Sequence, residues 1–400
     1  MGAHFPLPLL GLLMRSFSVA LLFFTLLSGG RFGAQAAPLD RVETISLTSP
    51  AGGVRLNGTL RLPTGAGPFA AVVLLPERGA NATNPTSADN QLLIRLADYL
   101  VSQGIAVLRL NERGQGGSEG LVSSATLAER ATDAIAALNY LRTRPQLDVT
   151  RLGLIGHGEG ANVALLAGAQ PLAPTFVVAL AASGLPGREL LATQPAMYGK
   201  VLGPDSTDTR RRHEYQRGQL AAGIEAAKMR ANGSNAAQVQ TYLDQQYLRR
   251  KLALRRDEQT LVKHQRAMLE IVRQTPDDAQ AQAILGNMLR QRYPGIAPAD
   301  VQTSVRLLTT PAYRSYLAFD PQPTLAQVKC PVLLLQGEAD TEVNAAINLN
   351  LLKKGLRNNP RVAELHYANL DHALLPTTTE ATKTFLTTPE DIRTWIVGQK

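Results

Sequence analysis

The sequence predicts an α/β fold with a mostly parallel central sheet, helices on both faces and an inserted helical cap. Short apolar runs typical of buried strands alternate with patterns typical of amphipathic helices. Because a parallel neighbour is reached only by a long crossover connection, this alternation favours a parallel sheet. The alternation stops near residue 185 and resumes after 325. With 400 residues and 44% hydrophobic content, the chain can bury a large core.

The first half of the chain predicts a hairpin followed by alternating strands and helices. Apolar and polar residues alternate over 43–62 around Ala51-Gly52-Gly53, which indicates the hairpin. Buried strands are predicted at 70–75, 105–110, 152–155 and 176–180. Helices are predicted through 92–100, 127–138 and 160–169. These elements make up the first part of the predicted core, residues 37–184.

Residues 185–325 are predicted to be the helical cap. The segment is polar, and four apolar residues from Tyr247 to Met268 are spaced by sevens. Between Arg210 and Arg306 there are 17 Lys and Arg against 9 Asp and Glu, which is most of the chain's formal net charge of +9. A basic cap could attract anionic ligands or a membrane surface, but a solvated face of amphipathic helices is the simpler interpretation. Predicted export and the lack of interleaved aromatic residues argue against nucleic acid as a partner.

The second part of the core is predicted over 326–400. Strands are predicted at 331–336 and 362–367, with a helix between them. The final helix is expected to open at Thr388-Pro389-Glu390, where a threonine N-cap precedes a proline at the first helical position.

Residues 1–36 are predicted to be a secretory signal. An apolar run at 17–28 follows Arg15, and Ala34-Gln35-Ala36 fits a small-x-small cleavage site. The run is shorter than the ~20 residues that a membrane span needs, so a cleaved signal is favoured over an uncleaved anchor. The mature protein is therefore expected to be periplasmic or extracellular, with no stable membrane span.

The most informative motif is Gly-His-Gly-Glu-Gly at 156–160, a strand running into a glycine-rich turn. In the G-x-S-x-G elbow, a serine sits on a sharp strand-to-helix turn that exposes its hydroxyl. Gly156 and Gly160 keep the frame of that motif, but Gly158 takes the place of the serine. The nucleophile position is therefore predicted to have no side chain.

Two further residues complete a candidate catalytic set. A serine-type acyl hydrolase needs a nucleophile, a histidine base and an acid that orients the base, and with this elbow they follow in the order nucleophile, acid, histidine. Asp340 lies just past the strand at 331–336, and His372 follows the strand at 362–367. Asp340 is therefore the predicted acid and His372 the predicted base.

These motifs resemble the alpha/beta-hydrolase superfamily, and specifically its exported bacterial serine aminopeptidase and acylaminoacyl-peptidase-like esterase branch. That branch typically carries Gly-His-Ser-Glu-Gly at the elbow, where this chain has Gly156–Gly160. The family's Asp-Asp-Arg-Gly-x-Gly-x-Ser loop is similar to Asn111–Ser118, its Gly-Glu-x-Asp to Gly337–Asp340, and its Asn-His pair to Asp371-His372. The Tyr313–Pro321 segment resembles the family's return from cap to core. The resemblance implies the alpha/beta-hydrolase fold over about 42–185 and 305–400.

The resemblance also implies an oxyanion hole, built from the backbone of Glu159 and of a residue after the strand at 70–75. Arg78 is the candidate for the second donor. The loop contains Pro76-Glu77-Arg78-Gly79, where the family usually has small residues. A carboxylate at Glu77 would oppose a developing oxyanion and Arg78 would help it, and the sequence leaves open which one points inward.

The sequence therefore predicts an exported protein of this family with a capped pocket for an ester, acyl or peptide ligand, in which serine catalysis is lost or altered. The alternative is an active ester or peptide hydrolase in which Asp340 and His372 activate water, or in which Ser183 replaces the nucleophile. An engineered serine replacement would give the same pattern, although the intact signal argues against it. No cofactor is expected, and no metal site is predicted because no His, Cys, Asp or Glu residues have ligand spacing. The sequence leaves the oligomeric state open.

Overall fold

The computed structural model describes residues 40–77, 88–194, 207–379 and 382–399. The predicted signal at 1–36 and the candidate oxyanion residue Arg78 lie outside these residues. Among the helices of the described ranges, none is both long enough and apolar enough to cross a membrane.

The core of the protein is an eight-stranded sheet with the order β1-β2-β4-β3-β5-β6-β7-β8. Its strands are β1 (Asp40–Thr48), β2 (Arg55–Pro63), β3 (Phe69–Leu75), β4 (Ile105–Leu110), β5 (Leu147–His157), β6 (Phe176–Leu180), β7 (Val332–Gly337) and β8 (Val362–Tyr367). β1 and β2 form the predicted hairpin, and β2 pairs antiparallel with β4. The remaining neighbours pair in parallel, so the predicted mostly parallel sheet is confirmed.

Helices cover both faces of this sheet and fill the segment between β6 and β7. They are α1 (Ala88–Ser102), α2 (Leu127–Arg142), α3 (Glu159–Gly168), α4 (Gly187–Thr193), α5 (Thr207–Ala231), α6 (Ala236–Gln274), α7 (Asp278–Arg292), α8 (Pro298–Leu308), α9 (Pro311–Ala318), α10 (Pro321–Leu325), α11 (Ala345–Gly355) and α12 (Thr382–Gly398).

Alternate residues of the strands feed two separate apolar cores, as the two-residue period of a strand requires. On β3, Val73 and Leu75 pack with α2, α3 and α11 on one face. Val72 and Leu74 pack with α1 and α12 on the other face. Because both faces are covered, the central strands are apolar throughout, which is why they appear in the sequence as continuous apolar runs.

The segment between β6 and β7 contains seven helices in its described residues, α4 to α10, with their own apolar core. The C-terminal half of α6 contributes Met268 and Leu269 to this core. Its N-terminal half packs along α5 and leaves Tyr247 half exposed. The seven-residue spacing therefore marks one long helix that is buried along only part of its length.

The prediction for the start of the final helix is wrong. α12 begins at Thr382, and Pro389 lies inside it rather than at its first position. A proline in a helix removes one backbone hydrogen bond, and the apolar face of α12 is buried through Ile392 and Ile396. Packing against the sheet therefore keeps the helix continuous across the proline.

Sheet topology places a switch point at the carboxyl ends of β3 and β5. β4 lies on one side of β3 and β5 on the other, so the chain reverses its direction of travel across the sheet at this point. In open α/β sheets, ligands bind at such a switch point, beyond the carboxyl ends of the strands. The segments that follow β3 and β5 contain Glu77 and Gly158, respectively.

Candidate active site

The elbow turns from strand to helix in a single residue. β5 ends at His157 and α3 begins at Glu159, so Gly158 alone makes the turn, with φ 54° and ψ −119°. The flanking glycines are required by close approach: a Cβ on Gly156 would lie 2.1 Å from the carbonyl oxygen of Gly160. The frame of a nucleophile elbow is therefore present, and the positive φ at its tip is the one that glycine adopts at little cost.

Hydrogen bonds from the backbone and from His157 hold the elbow in place. The N–H of Gly158 donates to the carbonyl of Leu180 on β6 at 2.9 Å, and its own carbonyl accepts from the N–H of Ala161 at 3.1 Å. The His157 ring donates from Nε2 to the carbonyl of His372 at 2.8 Å, because a carbonyl oxygen can only accept. The loop that carries His372 is thus tied directly to the elbow.

Asp340 is buried in the loop after β7 and is surrounded by donors. Oδ1 accepts from the backbone N–H groups of Glu342 and Val343, both at 2.8 Å. Oδ2 accepts from Gln336 Nε2 at 2.9 Å and from His372 Nδ1 at 2.8 Å. Four donors fix the orientation of the carboxylate, which in turn fixes the imidazole of His372.

His372 lies in the loop after β8 with Nε2 directed at the elbow. A Cβ placed on Gly158 would lie 3.3 Å from His372 Nε2. This nitrogen is buried and makes no hydrogen bond within the described residues. The fold therefore brings Asp340, His372 and Gly158 together in the arrangement that a nucleophile, base and acid need, with no hydroxyl at the nucleophile position.

The charges around His372 favour its protonated form. Burial lowers the pKa of the imidazole, but the Asp340 hydrogen bond and charge, with smaller contributions from Glu77 and Glu342, outweigh burial and raise the pKa to about 9. A general base must be unprotonated to accept a proton. At neutral pH His372 is therefore mainly imidazolium, which is a poor starting state for proton abstraction.

Glu77 occupies the space beside the elbow. Because β3 pairs with β5, with Leu75 opposite Gly156, the residue that follows β3 by two positions reaches Gly158. A Cβ on Gly158 would meet Glu77 Cγ and Cδ at 3.2 Å. Glu77 Oε2 lies 3.9 Å from His372 Nε2. The structure thus answers what the sequence left open for this residue: the Glu77 carboxylate points into the site.

Arg130 on α2 links the segment after β3 to the start of α3. Its Nη1 donates to Glu159 Oε1 at 2.7 Å and its Nη2 donates to the carbonyl of Pro76 at 2.8 Å, while Glu112 Oε1 lies at 3.5 Å. Burial opposes the charge on this guanidinium, but the carboxylates of Glu159 and Glu112 raise its pKa above the ordinary value. No sequence motif pointed to Arg130, since its partners are distant in the chain. It holds the Glu77 segment against the start of α3, where the predicted oxyanion donor, the Glu159 N–H, lies.

Comparison with known proteins agrees with this architecture. Residues 90–284 match the family model described as serine aminopeptidase, S33, a segment that includes the elbow but not Asp340 or His372. Esterase EstD of Thermotoga maritima is 35% identical over 106 residues, which is 26% of this chain and 25% of that protein, so the match spans about a quarter of the relative. A solved structure of an esterase from Pyrococcus furiosus aligns with a TM-score of 0.50 at 13% identity, over 89% of this chain and 92% of that chain.

The chain has the alpha/beta-hydrolase fold, and its similarity to serine aminopeptidases covers residues 90–284. The predicted fold class and the esterase-like and serine aminopeptidase-like resemblance are thereby confirmed. Loss of the nucleophile's function and export remain predictions.

The hydroxyl of Ser183, the other candidate nucleophile, makes hydrogen bonds that stabilise the fold. Its hydroxyl lies 3.1 Å from Asn348 Oδ1 and 3.2 Å from the carbonyl of Leu185, both acceptors, and it accepts from the N–H of Leu185 at 3.1 Å. Its backbone N–H donates to Asn162 Oδ1 at 3.1 Å. None of the hydrogen bonds given by the described residues joins Ser183 to His372, so the structure does not bring Ser183 to the base.

Three residues whose side chains offer potential metal-ligand atoms also meet in the structure, which sequence spacing did not indicate. Glu77, His157 and His372 each offer a ligand atom, and these atoms lie within 4.8 Å of one another. The three residues are separated by 80 positions or more in the sequence, so no short motif could reveal them. They meet because β3, β5 and β8 end at the same edge of the alpha/beta-hydrolase sheet.

Proposed function

We propose that this chain is an exported alpha/beta-hydrolase that binds an acyl, ester or peptide ligand at the elbow and has lost serine-dependent acyl transfer. The observation that carries the proposal is the tip of the elbow. Gly158 keeps the nucleophile's position and backbone conformation, and Glu77 lies where a serine side chain would need room.

The magnitude of the loss supports the proposal. Removing the serine of a comparable triad costs about 10⁶-fold in turnover, or roughly 8 kcal/mol of transition-state stabilisation. A Glu77 carboxylate beside the elbow adds an unfavourable charge where an oxyanion would form. The remaining contribution from ligand binding and backbone donors is too small for a metabolic hydrolase.

The ligand class is inferred from the family. The similar proteins from Thermotoga maritima and Pyrococcus furiosus are named as esterases, and the matching family model is that of serine aminopeptidases. Ester and peptide substrates share a carbonyl carbon flanked by an oxygen or nitrogen leaving group. A pocket inherited from either would accept a small acyl compound, ester or peptide. Export is inferred from the signal-like residues 1–36 alone.

A second candidate function is hydrolysis without the serine, in which His372 activates a water molecule directly. The intact pair of Asp340 and His372 favours it, as does the absence of a hydrogen bond to His372 Nε2 within the described residues. The raised pKa of His372 opposes it, because the imidazole must first lose a proton.

The test is to assay the purified mature protein on p-nitrophenyl acetate and on aminoacyl p-nitroanilides, and to treat it with a fluorophosphonate probe. We expect no turnover above background and no labelling. Turnover in the parent that disappears in His372→Ala would establish the second candidate. Labelling that persists in Ser183→Ala would contradict the loss of an activated nucleophile.

A further inference from the structure

We propose that Glu77, His157 and His372 bind a divalent transition-metal ion of the zinc class above Gly158. The first observation is the ligand set itself. Two imidazoles and one carboxylate, with ligand atoms within 4.8 Å of one another, meet at the carboxyl edge of the sheet. Two histidines and a glutamate form one of the ligand sets of catalytic zinc, which leaves a further coordination position open.

The distances suit such an ion after a small contraction. Zinc lies about 2.0–2.2 Å from nitrogen and oxygen ligands, so two ligand atoms on one tetrahedral ion are roughly 3.3–3.6 Å apart. Glu77 Oε2 and His372 Nε2 are 3.9 Å apart, slightly more than this separation. The widest separation in the group is at most 4.8 Å. Rotation of the Glu77 side chain, which has three rotatable bonds, can supply the remaining adjustment.

The surroundings of both imidazoles are those of metal ligands. A metal-bound histidine donates its other ring N–H to a carboxylate or a carbonyl, which fixes the tautomer and the ring. His372 Nδ1 lies 2.8 Å from Asp340 Oδ2, and His157 Nε2 lies 2.8 Å from the carbonyl of His372. Each ring thus has one nitrogen engaged by a protein oxygen. The other nitrogen of His372 is Nε2, whose proton a bound ion would replace.

The charge and the space around His372 also favour a bound cation. Glu77 and Asp340 both face His372, so two carboxylates surround a buried site. His372 is 8% exposed, and its Nε2 makes no hydrogen bond within the described residues. A Cβ at residue 158 would lie 3.2–3.3 Å from Glu77 and His372, so glycine leaves between these two ligands the room that a serine would fill. Glycine at position 158 therefore both removes the serine hydroxyl and leaves space for the proposed metal ion.

The test measures metal binding without substrate, so its result is separate from the presence or absence of hydrolysis. The mature protein is stripped with chelator, dialysed, and titrated with ZnCl₂ by calorimetry and with CoCl₂ by visible absorption. We expect one equivalent of zinc with a Kd below about 10 μM. Bound cobalt should show the visible bands of nitrogen and oxygen coordination.

Matched variants separate this site from adventitious binding. Glu77→Gln should weaken zinc binding at least tenfold, as should Gly158→Ser, which fills the space. The control pair is Glu364→Gln and His366→Gln, because Glu364 and His366 form an exposed pair at 3.6 Å elsewhere on the chain. Circular dichroism confirms that each variant is folded. Binding weaker than the stated Kd, or binding that Glu77→Gln affects no more than Glu364→Gln does, overturns the proposal.

Discussion

The acid and histidine side of the site is built far more firmly than the nucleophile side. Asp340 accepts four hydrogen bonds, two of them from the backbone at the turn that leads into α11, and the carbonyl of His372 accepts from His157. On the other side, Gly158 has no side chain and faces a carboxylate. The difference shows that Asp340 and His372 also hold loops in place. Their retention is therefore expected even in a chain that no longer catalyses acyl transfer.

The largest expected effect is on turnover, when a serine nucleophile is restored at position 158. Combining Gly158→Ser with Glu77→Gly supplies the hydroxyl within reach of His372 Nε2 and removes the opposing carboxylate. We expect turnover of p-nitrophenyl acetate to rise at least about 10³-fold, since loss of a triad serine costs about 10⁶-fold. Steady-state kinetics measure the gain.

The control for this variant is the same pair of changes with His372→Ala added, which should return turnover to the level of the parent. If the double variant gains nothing, the acid and histidine side is not competent. If the gain survives His372→Ala, His372 is not the base.

The second effect is on stability, and it compares the two carboxylates with isosteric changes. Asp340→Asn replaces an acceptor of four hydrogen bonds by an amide that can accept at only one atom, and it should lower the free energy of unfolding by about 2–4 kcal/mol. Glu77→Gln should cost about 1 kcal/mol or less, because it keeps the shape of the side chain and removes a negative charge that lies near the Asp340 carboxylate. Urea unfolding at pH 7 measures both. Equal losses of unfolding free energy in the two variants would show that Asp340 and Glu77 are held equally firmly.

A smaller effect concerns the backbone of the elbow. Gly158→Ser should lower the free energy of unfolding by about 1–3 kcal/mol, because φ is 54° and the new Cβ meets Glu77 and His372 at 3.2–3.3 Å. Gly233→Ser is the control, since Gly233 also has a positive φ, 87°, but nothing within 4 Å of an added Cβ. The control should lose only about 1 kcal/mol. A thermal scan in which Gly158→Ser is as stable as the parent would remove the claim of strain at the elbow.

The smallest effect is expected at Ser183. Ser183→Ala removes hydrogen bonds with Asn348 and Leu185 and should cost about 1 kcal/mol. It should leave the turnover of the serine-restored variant unchanged, because the hydroxyl is engaged in the fold rather than at the base. A large loss of turnover would instead place Ser183 in the reacting site.

Sequence patterns predicted the scaffold because its signals are local. The strands predicted at 105–110, 176–180 and 362–367 match the bounds of β4, β6 and β8, and the glycines around Gly158 marked the elbow. Asp340 and His372 could be proposed from strand ends and chain order, since strand ends in a parallel sheet meet at one edge.

What escaped sequence analysis depends on contacts between distant segments. The inward direction of Glu77 follows from the register of β3 on β5, and the role of Arg130 follows from how α2 packs beside both. The grouping of Glu77 with His157 and His372 requires the whole sheet. The start of α12 was misplaced because burial of its apolar face outweighs the local preference of Pro389 for a helix start.

Arg130 couples the backbone that bears Glu77 to the first turn of α3. One guanidinium holds the carbonyl of Pro76 and the carboxylate of Glu159, so the segment bearing Glu77 and the first turn of α3 are bound as one body. The Glu77 side chain can rotate alone, but a ligand that shifts the backbone of this segment has to move the buried Arg130–Glu159 ion pair or the start of α3 with it.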